Sequence, residues 1–155
     1  MTIWDISLPD LAATELLACK TGSLLRAKDV VALGGDLGAG KTTFCRVLIR
    51  ALSGSDIEVP SPTFTLVQTY ELPAFELWHF DLYRLETPRD ALELDIEDAF
   101  ATSVSLIEWP ERLGPYLPVN RLDIRFSFTE SPTARQLSIE GGAEWTTRLE
   151  SILND

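Results

Sequence analysis

The chain reads as an α/β domain with a mixed β-sheet flanked by helices, and three observations predict it. An apolar run, Val30-Val31-Ala32-Leu33, leads into a glycine-rich turn and then into Lys41 to Leu52, where apolar residues recur at helical spacing. Two runs over residues 64–70 and 75–82 alternate on either side of a short turn around Glu71-Leu72-Pro73-Ala74, the pattern of an antiparallel hairpin. A further apolar run, Val104-Ser105-Leu106-Ile107, ends on Glu108, as a strand does when it delivers a side chain to the edge of a sheet.

At 155 residues the chain fits one domain spanning 1–155, long enough to bury an ordinary core. Lys and Arg number 13 against 24 Asp and Glu, and the net charge of −11 repels nucleic acid. Direct contact with tRNA or DNA is therefore disfavoured. Cys19 and Cys45 fall on predicted helices, outside any C-x-x-C pair or His/Cys cluster, and read as reduced packing thiols. No basic segment precedes an apolar one at the N-terminus, and no apolar run reaches about 18 residues, so a cytoplasmic protein with no membrane contact is expected.

In chain order, Trp4, Ile6 and Leu8 alternate with Asp5 and Ser7 as in a half-buried strand. Leu11, Leu16, Leu17 and Leu24 suggest a packing helix between Pro9 and Leu25, with Thr21-Gly22 as a point where it can break. The turn that follows the Val30 to Leu33 strand, Gly35-Asp36-Leu37-Gly38-Ala39-Gly40-Lys41-Thr42, fits G-x-x-x-x-G-K-[ST] at every fixed position. Glycines there let the backbone take conformations closed to other residues and bring its N–H groups up to a polyphosphate. The N-terminus of the helix from Lys41 to Leu52 adds a partial positive charge, Lys41 a full one toward the β/γ-phosphates, and Thr42 a hydroxyl for Mg²⁺. This is the pattern of a P-loop NTPase-like domain. Phe44, Val47, Leu48 and Leu52 mark the helix's inner face, and Ser53-Gly54-Ser55 ends it.

Glu58 to Phe64 crosses toward the next strand, and Pro60 and Pro62 stiffen the loop that presents Ser61 and Thr63. Behind a phosphate loop this is where a switch threonine sits, sensing Mg²⁺ and the γ-phosphate, although a rigid surface turn has the same sequence. Phe64, Leu66, Gln68 and Tyr70 share one parity of the first hairpin strand; Phe75, Leu77, His79 and Asp81 share one parity of the second. Asp81 falls where a Walker-B-type carboxylate holds Mg²⁺ directly or through water, although an aspartate that merely ends a strand has the same sequence, and His79, the one histidine, reads as a packed strand residue.

Leu85 to Phe100 reads as one or two short helices with a solvated acidic face. After Val104 to Ile107, Glu108 is placed to serve the metal or orient a water, and Trp109 to pack on a nucleotide or a partner, the alternative being a core-edge Trp beside a surface Glu. Asn120-Arg121-Leu122-Asp123 has the outline of the guanine-reading N-K-x-D motif, but it opens a strand (Leu122, Ile124, Phe126, Phe128) instead of closing one. Asp81-Leu82-Tyr83-Arg84 also lacks the glycine of a GTPase D-x-x-G switch, so adenine is the expected base. Leu137 and Ile139 mark a last strand after the Ser131-Pro132-Thr133 turn, and Trp145 to Leu153 a closing helix.

Residues 35–43, Ser-Pro-Thr-Phe at 61–64, His-Phe-Asp-Leu-Tyr-Arg-Leu at 79–85 and Glu-Trp-Pro-Glu at 108–111 together resemble, in order and spacing, the TsaE (YjeE) family, the bacterial ATPases of tRNA threonylcarbamoyladenosine biosynthesis. The resemblance runs from about Val30 to Arg112. It implies ATP and Mg²⁺ as ligands, and work alongside TsaD and TsaB proteins, which install threonylcarbamoyl on adenosine 37 of tRNAs reading codons that begin with A. By that similarity Gly35, Asp36, Leu37, Gly38, Ala39, Gly40, Lys41, Thr42 and Thr43 bind the nucleotide with Trp109 beside them. Thr63 is the switch residue, and Thr42, Asp81 and Glu108 serve the metal, with Lys41, Thr63, Asp81 and Glu108 as the catalytic set.

The mechanism this implies is attack of water on the γ-phosphorus, resetting a conformational cycle of the partner enzyme. No arginine within the motifs is an obvious finger for the transition state, so turnover by the protein alone is expected to be slow. Two rivals remain. A small-molecule or nucleoside kinase needs an acceptor pocket and a lid with several arginines, for which only Arg84, Arg89 and Arg112 are near. An adaptor that uses ATP only to stabilise its fold predicts binding without turnover.

Overall fold

The computed structural model describes residues 2–153; Met1, Asn154 and Asp155, the ends of the expected 1–155 domain, lie outside the described residues. Seven strands form one mixed sheet: β1 (Thr2–Leu8), β2 (Val30–Gly35), β3 (Val67–Glu71), β4 (Glu76–Asp81), β5 (Val104–Glu108), β6 (Leu122–Phe128) and β7 (Arg135–Gly141). Their order is β1-β7-β6-β2-β5-β4-β3. β2 lies between β5 and β6, parallel to both, and β4 is parallel to β5. The remaining pairs, β1/β7, β6/β7 and β3/β4, are antiparallel. The expected α/β architecture with a mixed sheet is the observed one.

The helices are α1 (Leu11–Leu24), α2 (Lys41–Ser53), α3 (Ile96–Thr102) and α4 (Ala143–Leu153), with 3₁₀ turns at Pro88–Leu94 and Pro110–Tyr116. Among the described residues no helix is long and apolar enough to cross a membrane. β2 and β5 are buried along their whole lengths, as central parallel strands must be, and that accounts for their unbroken apolar runs. One core, including Leu17, Phe44, Leu48, Leu106, Leu122, Leu137 and Trp145, covers one side of the sheet. The other, around Phe80, Leu82, Ile96, Ile107 and Leu113, packs under α3 and the 3₁₀ turns.

Several local expectations change: Cys19, expected as a packing thiol, is exposed, and so are Leu11 and Leu16 of the expected packing helix. α1 runs unbroken through Thr21-Gly22. Gly22 is there for close approach: a Cβ on it would lie 3.2 Å from Leu48 Cγ of α2. The first hairpin strand begins at Val67 and not at Phe64. Leu66 takes φ 70° and its N–H donates to the Pro62 carbonyl at 2.7 Å, so proline-directed turn chemistry overrides the alternation. Phe64 is accordingly 77 % exposed, with the Arg84 guanidinium 4.3 Å from its ring centroid. Phe128, counted among the alternating residues of β6, is exposed and carries Arg135 at 4.8 Å.

Candidate functional site

The glycine-rich loop leaves the C-terminal end of β2 and enters α2. Gly35 has φ 126°, and a Cβ on it would sit 2.4 Å from the Phe126 carbonyl oxygen of β6, so the turn out of the sheet admits only glycine. Gly40 caps α2 at φ 115°, leaving the helix's first N–H groups facing the loop. Lys41 is only 4 % exposed. Its ammonium donates to the Gly35 carbonyl, lies 3.3 Å from the Asp36 carbonyl and stands 3.7 Å from the centroid of the Trp109 ring. Burial holds the Lys41 pKa below its ordinary value, against the opposing pull of Glu108, Glu111, Asp81 and Asp36.

Asp81 ends β4 and Glu108 ends β5, and the two are direct partners across the parallel ladder. Both are buried. Glu108 takes a hydrogen bond on each oxygen: Thr42 Oγ1 donates to Oε1 at 2.7 Å, and His79 Nε2 donates to Oε2 at 2.6 Å. Asp81 is held on the other side, with Thr63 Oγ1 donating to Oδ2 at 3.0 Å and the Tyr83 N–H to Oδ1 at 3.1 Å. Ser61 Oγ lies 2.8 Å from Thr63 Oγ1, and the loop before it is pinned by Arg46 Nε donating to the Val59 carbonyl at 3.0 Å. Trp109 adopts φ 59°, which turns its ring over Lys41 and against Tyr83, 4.8 Å away between centroids.

Thus Lys41, Thr42, Thr43, Thr63, Asp81, Glu108 and Trp109, with Leu37, Gly38 and Gly40, line one cavity of about 160 Å³. Gly35 and Asp36 reach it through the Lys41 ammonium, whose hydrogen bonds their carbonyls accept, whereas Ala39 lines a second cavity. On the other side of the loop a cavity of about 490 Å³ shares Gly38, Gly40 and Thr43 and adds Asp10, Leu11, Thr14, Ala39, Phe126, Thr133 and Arg135. Sequence reasoning missed this second cavity, whose walls come from α1, β6 and the β6–β7 connection. It also took His79 for packing alone. The residue is fully buried, yet its shared parity with Asp81 was a signal that it faces the same edge.

The oxygen set facing the smaller cavity, Thr42, Asp81 and Glu108, suits a hard divalent cation such as Mg²⁺. Two buried carboxylates meet a single ammonium there, and their charge reaches Cys45, whose thiol is pushed well above its ordinary pKa by burial and then by Glu108 and Asp81. Cys45, His79 and Glu108 have ligand atoms within 4.8 Å of one another, but Cys45 and His79 are fully buried and line neither cavity. The fit is therefore to the oxygens on the cavity side.

A family model described as "Threonylcarbamoyl adenosine biosynthesis protein TsaE" matches residues 8–137. The chain is 38 % identical to the tRNA threonylcarbamoyladenosine biosynthesis protein TsaE of Rickettsia bellii, over 76 % of this chain and 81 % of that one. It is 40 % identical to the Bacillus subtilis protein of the same name, over 72 % of this chain and 69 % of that one. The crystal structure of Bacillus subtilis YdiB superposes with a TM-score of 0.81 at 27 % identity, covering 97 % of this chain and 93 % of that one. Agreement over this much of the sequence and of the fold means that the chain belongs to the TsaE family of tRNA threonylcarbamoyladenosine biosynthesis proteins.

Proposed function

We propose that this protein is a cytoplasmic ATPase that binds Mg·ATP on the glycine-rich loop and hydrolyses it slowly, as a subunit of the bacterial system that makes N6-threonylcarbamoyladenosine at position 37 of tRNAs reading codons beginning with A. The observation that carries this reading is the convergence of Lys41, Thr42, Thr63, Asp81, Glu108 and Trp109 from four separate stretches of chain on one cavity of about 160 Å³.

In this reading the loop N–H groups and the α2 N-terminus hold the phosphates, and the Lys41 ammonium moves from the Gly35 and Asp36 carbonyls to the β/γ-oxygens. Glu108, already bonded to the Thr42 hydroxyl, is the metal-side acid, and Asp81 holds Thr63 at the γ-phosphate side. Mg²⁺ held there supplies charge that neutralises the phosphate oxygens. The larger cavity receives the nucleoside: it opens from the same loop residues and offers apolar walls in Leu11 and Phe126 with polar groups from Thr14 and Arg135. Adenine is preferred because Asn120 to Asp123 opens β6, with Arg121 Nε spent on Asp123 Oδ1 at 2.9 Å, far from a base-reading role.

Among the described residues no arginine lines the smaller cavity, and the nearest in sequence are engaged elsewhere, Arg84 on the Phe64 ring and Arg112 toward the Leu85 carbonyl. Charge on the developing transition state is thus left to Lys41 and the metal, and turnover rises when TsaD and TsaB type partners are added. A net charge of −11 leaves tRNA to be met through those partners. The test is calorimetry with Mg·ATP, followed by phosphate release with and without the partner pair. Heat that ADP competes away, and partner-stimulated release lost in Lys41→Ala, are expected. Absence of binding, or transfer of phosphate to an added nucleoside, overturns the reading, the latter in favour of a kinase.

A further inference from the structure

We infer that His79 is a positioning residue for Glu108: its Nε2–H fixes one carboxylate oxygen so that the other is presented to Thr42 and the metal. This rests on the reading above that Glu108 serves the cation.

The geometry supports it in three steps. The torsion that turns a glutamate carboxylate is soft, so one hydrogen bond does not fix its plane. Glu108 has two, one on each oxygen and from different elements: Thr42 Oγ1 from the start of α2 at 2.7 Å and His79 Nε2 from β4 at 2.6 Å. His79 is fully buried, and its other ring nitrogen, Nδ1, has no partner among the described residues. A buried unpaired nitrogen is uncommon in a folded protein, and an apolar side chain would fill the same space without it. What the imidazole adds over such a residue is the hydrogen delivered to Oε2. Partners of this kind that orient metal-bound carboxylates typically change metal affinity about 10- to 100-fold when removed.

The test is the Mg²⁺ dependence of ATP binding, titrated in the full-length protein for wild type, His79→Gln, His79→Asn, Glu108→Gln and His79→Asn/Glu108→Gln, with folding checked by thermal melting. Glutamine places its amide nitrogen where Nε2 stands, whereas asparagine reaches only as far as Nδ1. His79→Asn should weaken apparent Mg²⁺ affinity about 10- to 100-fold and leave ATP binding in EDTA unchanged. His79→Gln should stay within about threefold of wild type, and His79→Asn should add no further loss in the Glu108→Gln background. Wild-type Mg²⁺ dependence in His79→Asn, an equal loss in His79→Gln, or an undiminished loss in the double variant overturns the inference. Failure of the wild type itself to bind ATP with Mg²⁺ overturns the functional reading instead, and this inference with it.

Discussion

Thr42 Oγ1 donates to Glu108 Oε1 at 2.7 Å, tying the first turn of α2 to the last residue of β5 across 66 positions of sequence. Thr42→Ala and Glu108→Gln should each slow partner-stimulated hydrolysis by about 10²- to 10³-fold, the usual loss when one preorganised polar group is removed. Single-turnover phosphate release checks this, and a change below about threefold in both variants contradicts it.

Thr63 and Asp81 are predicted to act as a unit, because the Thr63 hydroxyl donates to Asp81 Oδ2 at 3.0 Å. Thr63→Ala and Asp81→Asn should each lower hydrolysis, and the double variant should be no slower than the worse single one. Multiplicative losses would mean that the two groups work separately.

Trp109 should report nucleotide binding. Its ring lies 3.7 Å from the Lys41 ammonium, a contact that must change if the lysine turns to phosphate. Addition of Mg·ATP should shift tryptophan emission in the wild type and in Trp4→Phe and Trp145→Phe, but not in Trp109→Phe. A shift that survives in Trp109→Phe places the reporter elsewhere.

Two glycine substitutions should differ sharply in stability. A Cβ on Gly35 would meet the Phe126 carbonyl oxygen at 2.4 Å, so Gly35→Ala is expected to cost about 3 kcal/mol or more. Gly54 also has positive φ, 71°, but nothing lies within 4 Å of its missing Cβ, and alanine there should cost about 1 kcal/mol. Urea unfolding of the two variants measures the difference.

Cys45 should make stability fall in alkali. Its thiol pKa is raised in the fold above the ordinary 9.0, chiefly by burial, so above pH 9 the unfolded chain loses a proton that the folded one keeps. The stabilisation is complete below that pH and is lost as pH rises toward the folded value, by up to about 1.4 kcal/mol per pH unit. Lys41, whose pKa is lowered, acts with the opposite sign below 10.5. Cys45→Ala should therefore lose less stability between pH 8.5 and 10 than the wild type, by chemical denaturation. In the native protein only the exposed Cys19 should react quickly with a thiol reagent.

The parallel centre of the sheet and the cavity residues on it were legible because each lies in a contiguous stretch whose chemistry is local: an apolar run, a glycine pattern, an acid at a strand end. Where neighbours in space are distant in sequence, the signal vanished. Asp10, Phe126 and Arg135 share a cavity with Gly38, and nothing in their own surroundings says so. His79 was visible as a buried strand residue, but its bond to Glu108 depends on β4 and β5 being adjacent, which alternation alone does not state. At Phe64 the period of two pointed to a strand, and the turn ending at Leu66, with its N–H on the Pro62 carbonyl, displaced it.

Asp81 and Glu108 face each other on one rung of the β4/β5 ladder. The spacing of their backbones is therefore set by main-chain bonding at the heart of the sheet. Thr63, by contrast, hangs on a loop, and Lys41 stands where the glycine-rich loop enters α2. In the proposed ATPase cycle the backbone that carries the two acids is the anvil, and the Thr63 hydroxyl and Lys41 ammonium are the hammer that arrives and leaves above it.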